Sequence, residues 1–281
     1  MLQGEKLVNL FSEEFIMIGA MIGDIVGSRF EFYNHKSKDF NFFDKSCSFT
    51  DDTVMTLAVA KTLLKFDAVT DIKEFKEELV SVMHEVGIKY PNCGYGGHFG
   101  VWIRGNHTEP YNSFGNGSAM RVSPVAWYAN SLDECEVLAA ATAEVTHSHP
   151  EGIKGAVAVA EAIYLARTKH SIAEIKEYIY SFYKIDFTLD EIRDTYGFYE
   201  TCQESVPQAL EAFFESVSFE DAIRNAISIG GDSDTISAIT GSIAEAYYGI
   251  EDEMRTTAFS YLDSYLLEIA ESFYVKFIRS K

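Results

Sequence analysis

From Val54 to Ala60 the chain reads Val-Met-Thr-Leu-Ala-Val-Ala. Wound into a helix, that run is apolar on nearly every face. A helix of this kind cannot lie on a surface; it needs other helices around it. Most of the remaining sequence supplies them. Segments near 52–66, 132–145, 152–168, 171–183, 204–216, 219–229, 234–248 and 256–278 place apolar residues three and four apart, the helical spacing. Strand-like alternation is scarce, and only 5 prolines interrupt 281 residues. A chain of that length can bury a full core. The expectation is one compact all-α, multi-helix domain over 1–281, with 1–15 as an N-terminal extension. The stretch 90–125 is the exception. It holds Pro91, Pro110, Pro124 and much of the glycine, and long structured loops tend to be functional.

Small residues mark an intimate helix pair. Gly19, Gly23 and Gly27 recur every four residues, as do small residues at Ser237, Gly241 and Ala244 on a later helix. Glycine costs about 1 kcal/mol in a helix interior relative to alanine, so the repetition points to close backbone approach in a central pair. That packing is expected to bring two helix starts together.

Charge narrows the function. Acids number 43 against 23 bases, a net −20. Such a surface repels nucleic acid and acidic membranes, so no nucleic-acid surface is expected, but it suits a protein that holds cations. Cys47, Cys93, Cys135 and Cys202 form no CxxC pair, and they read as free thiols of a reducing cytoplasm. The apolar segment 15–23 is too short to span a membrane and follows Glu13 and Glu14, unlike a signal peptide. The expected location is cytoplasmic, with no membrane partner.

Two acidic clusters each precede a buried-type helix: Thr50-Asp51-Asp52-Thr53, and Gly230-Gly231-Asp232-Ser233-Asp234-Thr235. Either one alone reads as ordinary helix capping. One cap needs one oxygen, however, and carboxylates about 4 Å apart repel by roughly 4 kcal/mol at an effective dielectric near 20. If the helix starts converge, a cation is required. Oxygen donors without Cys or His suit magnesium or manganese. Glu31, after the first glycine-rich helix, could join them. The loops Gly94-Tyr95-Gly96-Gly97 and 115–121 complete neither a GxGxxG nor a P-loop pattern. Their glycines still let backbone N–H groups approach an anion. Thr146-His147-Ser148-His149-Pro150 joins two helices. No His-Asp doublet and no GxSxG occurs.

The ordered series from Gly19 to Glu31, then Thr50-Asp51-Asp52-Thr53, then Gly115-Asn116-Gly117-Ser118-Ala119-Met120-Arg121, then Thr146-His147, then Gly231-Asp232-Ser233-Asp234-Thr235 resembles the ADP-ribosylglycohydrolases. The resemblance runs from about residue 16 to 250. It implies an all-α fold around a binuclear centre of two divalent cations, magnesium or manganese. It also implies hydrolysis of the bond between C1″ of ADP-ribose and an acceptor, a protein side chain or a small molecule. By position, Thr50, Asp51, Asp52, Asp232, Asp234 and Thr235 would hold the metals. Asn116, Gly117, Ser118, Met120 and His147 would hold the ADP-ribose. Glu31 or Asp51 would take the proton. The alternative is a non-catalytic, ADP-ribose-binding or crystallin-like member; the intact acids favour an enzyme. A metal-dependent phosphate-ester hydrolase is a further rival. The acceptor linkage and the oligomeric state stay open.

Overall fold

The structure, a computed structural model, describes residues 17–105 and 107–277. The N-terminal extension lies outside the described residues. Helices carry the architecture: α1 Gly19–Gly27, α2 Asp51–Leu63, α3 Ile72–Lys89, α4 Gly97–Arg104, α5 Gly117–Met120, α6 Ser123–Tyr128, α7 Leu132–Glu144, α8 Pro150–Arg167, α9 Ile172–Ile179, α10 Leu189–Ile192, α11 Cys202–Phe214, α12 Phe219–Ser228, α13 Ser233–Tyr248, α14 Asp252–Phe259 and α15 Ser264–Phe277. Among the described residues, strand pairing is limited to an isolated antiparallel bridge between Gly115 and Thr201. No described helix is long and apolar enough to cross a membrane.

The all-round apolar segment lies inside, as its pattern requires. Every residue from Asp52 to Ala60 of α2 is buried, and so is every residue from Ser233 to Ala246 of α13. Around them pack α3, α8, α11, α12 and α15, and α8 is itself buried from Gly155 to Ile163.

The pair α1 and α13 forms the axis, and its small residues are in contact. A Cβ built on Gly23 would stand 2.0 Å from the Ser237 carbonyl oxygen, and one on Gly19 would stand 2.3 Å from that of Gly241. Only glycine admits that approach. The pairing is antiparallel, because Gly19 meets Gly241 while Gly27 meets Ser233. The expectation that two helix starts meet is therefore corrected for this pair: the end of α1 meets the start of α13.

Elsewhere the boundaries shift for local reasons. The expected helix 256–278 is two helices, α14 and α15. The break is held by Asp263, whose Oδ1 accepts from Tyr265 N and Leu266 N, both at 3.0 Å, and so starts a new helix. Helix α3 lies outside the segments whose spacing predicts a helix. It starts at Asp71, which accepts from Lys73 N (2.8 Å) and Glu74 N (3.2 Å), and it buries Phe75, Leu79, Val82, Met83 and Val86. The irregular stretch 90–125 carries the short helices α4 and α5 and the start of α6.

Candidate metal centre

The end of α1 and the starts of α2 and α13 place their acids at one point. Asp24 projects from α1, whose nine residues are all buried and otherwise uncharged. Its Oδ2 accepts from Thr50 N (2.9 Å) and Thr53 N (3.0 Å), and its Oδ1 accepts from Thr50 Oγ1 (2.7 Å). The Thr53 hydroxyl donates to Oδ2 as well. Asp24 thus ties α1 to the first turn of α2 and satisfies its free N–H groups. Burial nevertheless raises its pKa to about 6.

Beyond Asp24 the carboxylates outnumber their donors. Asp52 Oδ2 accepts from Thr235 Oγ1 at 3.1 Å, but its buried Oδ1 has no hydrogen-bond partner. Asp234 Oδ1 accepts from the adjacent Thr235 N (2.9 Å), and Asp232 Oδ2 accepts from Asn116 Nδ2 (2.6 Å). Carboxylate oxygens of Asp24, Asp52 and Asp234 lie within 4.8 Å of one another, and so do those of Glu31, Asp232 and Asp234. Asp234 belongs to both groups. Burial, then neighbouring acids, push Asp51, Asp52 and Asp234 well above the carboxylate range. Asp232 is raised to about 7, chiefly by burial, and Glu31 to about 8 by burial, then Asp234, Asp24 and Glu200. Arg121, the arginine in the cavity wall, makes no hydrogen bond to these carboxylates. Its Nη2 is turned to the Thr142 carbonyl (2.9 Å) and Thr146 Oγ1 (2.8 Å).

Local geometry fixes these acids. Gly230 and Gly231 both hold positive φ (68° and 76°), and added Cβ atoms would fall 2.2 Å from Asn34 Oδ1 and 2.6 Å from the Gly197 carbonyl oxygen. That tight turn sets Asp232 at the start of α13. Glu31 follows the 3₁₀ turn Ser28–Phe30 that ends α1, and it is half-buried.

A cavity opens beside the cluster. Asp51, Asp52, Asp232, Asp234 and Thr235 form its floor, and Gly94, Gly115–Gly117, Met120, His147 and Glu200 line its walls. His147 Nδ1 lies 2.7 Å from Thr146 Oγ1. That hydroxyl also accepts from Arg121 Nη2, so Thr146 links the imidazole to the guanidinium. Burial, and then Arg121, keep the imidazole neutral by lowering its pKa well below 6.5. Nε2 faces the glycine loop, 3.2 Å from where a Gly117 Cβ would be.

Of the residues expected at the site, Asp51, Asp52, Asp232, Asp234, Thr235, Asn116, Gly117, Met120 and His147 all line this cavity. Glu31 joins through the acid cluster. Thr50 and Ser118 are not among the cavity's lining residues, although Thr50 Oγ1 lies 3.4 Å from Asp52 Oδ2. Thr50 gives its hydroxyl to Asp24, and Ser118 Oγ donates to the Gly152 carbonyl at the start of α8 (2.7 Å). Sequence reasoning did not assign Asp24, Glu200 or Arg121 to the site. Asp24 had a readable signal: it is the lone charge in a glycine-patterned apolar helix.

The residues fit a hard divalent cation. The donor set is all oxygen, its aspartates are buried, its carboxylates outnumber the one arginine in the wall, and it includes the orphaned Asp52 Oδ1.

The sequence matches the profile of the family described as ADP-ribosylglycohydrolase over residues 16–278. It is 26% identical to ADP-ribosylhydrolase ARH3 of Mus musculus, covering 84% of this chain and 83% of that protein. It is 27% identical to ADP-ribosylarginine hydrolase Tri1 of Pseudomonas putida, covering 83% and 70%. Among solved structures, a chain of an ADP-ribosylglycohydrolase-related protein complex superposes with a TM-score of 0.66 at 22% identity, over 93% of this chain and 96% of that one. That likeness speaks to the fold.

Proposed function

The chain belongs to the ADP-ribosylglycohydrolase family, and we propose that it is a metal-dependent hydrolase that cleaves the glycosidic bond between ADP-ribose and an acceptor. The observation that carries the reading is the buried meeting of Asp24, Asp52, Asp232, Asp234 and Glu31, with Asp52 Oδ1 left without any donor. Asp24, Asp52 and Asp234 would hold one divalent cation, and Glu31, Asp232 and Asp234 a second, magnesium or manganese. Asp51 and the Thr50 and Thr235 hydroxyls stand close by. Such ions supply a lowered pKa for water and a positive field for the ribose hydroxyls.

The chain's own residues do the rest. Glu31 is half-buried, so its carboxylate can accept a proton from the attacking water and pass it to bulk solvent. Asp51, in the cavity floor, is the alternative acceptor. Asn116 braces Asp232 through its side chain and holds the Glu200 carbonyl through its backbone N–H (2.8 Å), so the glycine loop is registered against the acids. Gly115 and Gly117 leave room for a ligand beside His147, whose Nε2 faces it. Ser118 acts from behind by tying the loop to α8.

The reading is tested by incubating the chelator-treated protein with ADP-ribosylated acceptors, with and without magnesium or manganese. Released ADP-ribose that appears only with metal supports it. No release from any arginine, serine or small-molecule conjugate at saturating metal would sink it.

A further inference from the structure

Large apolar side chains exposed to water cluster beside the acids. Phe32 is 80% exposed and Tyr33 81%, directly after Glu31 in the chain. On a second segment Phe198 is 44% and Tyr199 41% exposed, directly before Glu200. The two segments touch: the Phe32 and Phe198 rings stack with centroids 6.0 Å apart and planes 25° from parallel. Isolated exposed hydrophobics are normal. Aromatic residues from separate segments, stacked on each other in water and adjoining Glu31 and Glu200 in the chain, make an exposed apolar patch of the kind that marks a binding surface.

Resting on the hydrolase reading above, we propose that this patch is the acceptor-recognition surface and that its occupant is a cationic polypeptide segment carrying the ADP-ribose. Bond cleavage beside Glu31 puts the departing acceptor at Glu31, and the chain continues from there straight into Phe32 and Tyr33. Ring faces attract ammonium and guanidinium groups, and Glu31 and Glu200 add negative charge on either side. The net −20 of the chain favours a basic segment and opposes a nucleic-acid acceptor. Phe32 and Phe198 are then specificity-determining residues that act on acceptor binding, with the ADP-ribose itself held elsewhere.

The test compares the parent with Phe32→Ala/Phe198→Ala on an ADP-ribosylated peptide with lysine and arginine flanks, and on the same peptide with glutamate flanks. With the basic peptide, KM rises about tenfold in the double variant, the factor that ~1.4 kcal/mol represents, while kcat holds. Calorimetric affinity for free ADP-ribose stays within about twofold. The single conservative variant Phe32→Tyr, with Phe198 intact, keeps the parent KM. With the glutamate-flanked peptide, the parent already binds weakly and the double variant adds little. The proposal is overturned by an unchanged KM, by equal losses for both peptides, or by a parallel loss of ADP-ribose affinity. It is also overturned if an ADP-ribosylated oligonucleotide shows the parent preference and the variant loss instead. A parent that releases no ADP-ribose from any conjugate sinks the hydrolase reading. The patch is then judged on the dissociation constant of the fluorescent basic peptide, which must weaken about tenfold in the double variant. Should the double variant misfold, single Phe32→Ala at the most exposed ring position carries the same comparison.

Discussion

The two ends of the α1–α13 pair each bury acids, and they solve the problem differently. At one end Glu245 of α13 meets the start of α1. Its Oε1 accepts from Ile18 N (3.1 Å) and its Oε2 from Gly19 N (2.8 Å). One carboxylate meets free N–H groups at the positive end of a helix dipole, and the protein satisfies it unaided. At the other end α1 presents its negative end, and Asp24, Asp52, Asp232, Asp234 and Glu31 converge. The starts of α2 and α13 help, but the acids exceed the donors. The same antiparallel packing thus makes a self-sufficient structural acid at one end and a charge deficit at the other. That deficit is the physical case for a cation.

The largest effect is expected from Asp234→Asn, which removes the carboxylate shared by both oxygen groups. Metal affinity should fall by at least on the order of 10²-fold, with hydrolysis and ADP-ribose binding falling alongside. Calorimetry and turnover measured side by side check this; a variant that binds metal like the parent would show that the acids are only caps. Gly23→Ala attacks both ends at once, since its Cβ would force α1 off α13. We expect a loss of about 3 kcal/mol in denaturant unfolding together with weaker metal binding. Unchanged stability would mean that the close approach is not needed.

Glu31→Gln separates chemistry from assembly. Single-turnover hydrolysis at saturating metal should slow on the order of 10²-fold, while ADP-ribose affinity changes far less. Full activity would move the proton acceptor to Asp51.

The smallest effect belongs to the satisfied end. Glu245→Gln keeps one acceptor and should cost about 1 kcal/mol at pH 5. Its pH dependence has a definite sign. Burial, against the lowering effect of its N–H donors, raises the folded pKa of Glu245 from 4.5 to about 7. The folded state therefore holds the proton more tightly, so this contribution to stability is fully present below pH 4.5 and is lost as the pH rises through 7. The stability gap between parent and Glu245→Gln should narrow over that window, as read by thermal melts at several pH values. A gap that widens would mean that the carboxylate, not the acid, is the form the fold prefers.

Much of this was legible in the residues. The all-round apolar run located the interior, and the four-residue glycine spacing located the central pair, because both depend only on helical periodicity. The direction of the pair was not legible: small residues license close approach in either sense. Asp24 was visible as a lone charge on a buried helix, but its partners Thr50 and Thr53 lie 26 and 29 residues away and only the fold brings them together. Ser118 looks like a site residue in a motif, yet its hydroxyl is turned to the Gly152 carbonyl, whereas the Thr50 hydroxyl sits between Asp24 and Asp52. A motif records which residues travel together, not which side of the wall each one faces. Glu200 stands in no motif and reaches the site through backbone pairing of the segments at Gly115 and Thr201.

The acid-rich end is short of positive charge. The most direct measurement is titration of chelator-stripped protein with magnesium or manganese in a calorimeter at pH 7, repeated in buffers of different ionisation enthalpy. Asp232 is raised to about 7 and Glu31 to about 8 without metal, so cation binding should expel protons from the cluster. The account predicts saturable binding of two cations per chain, net proton release and a higher melting temperature. Absence of heat, of proton release and of any melting shift with either ion would contradict it.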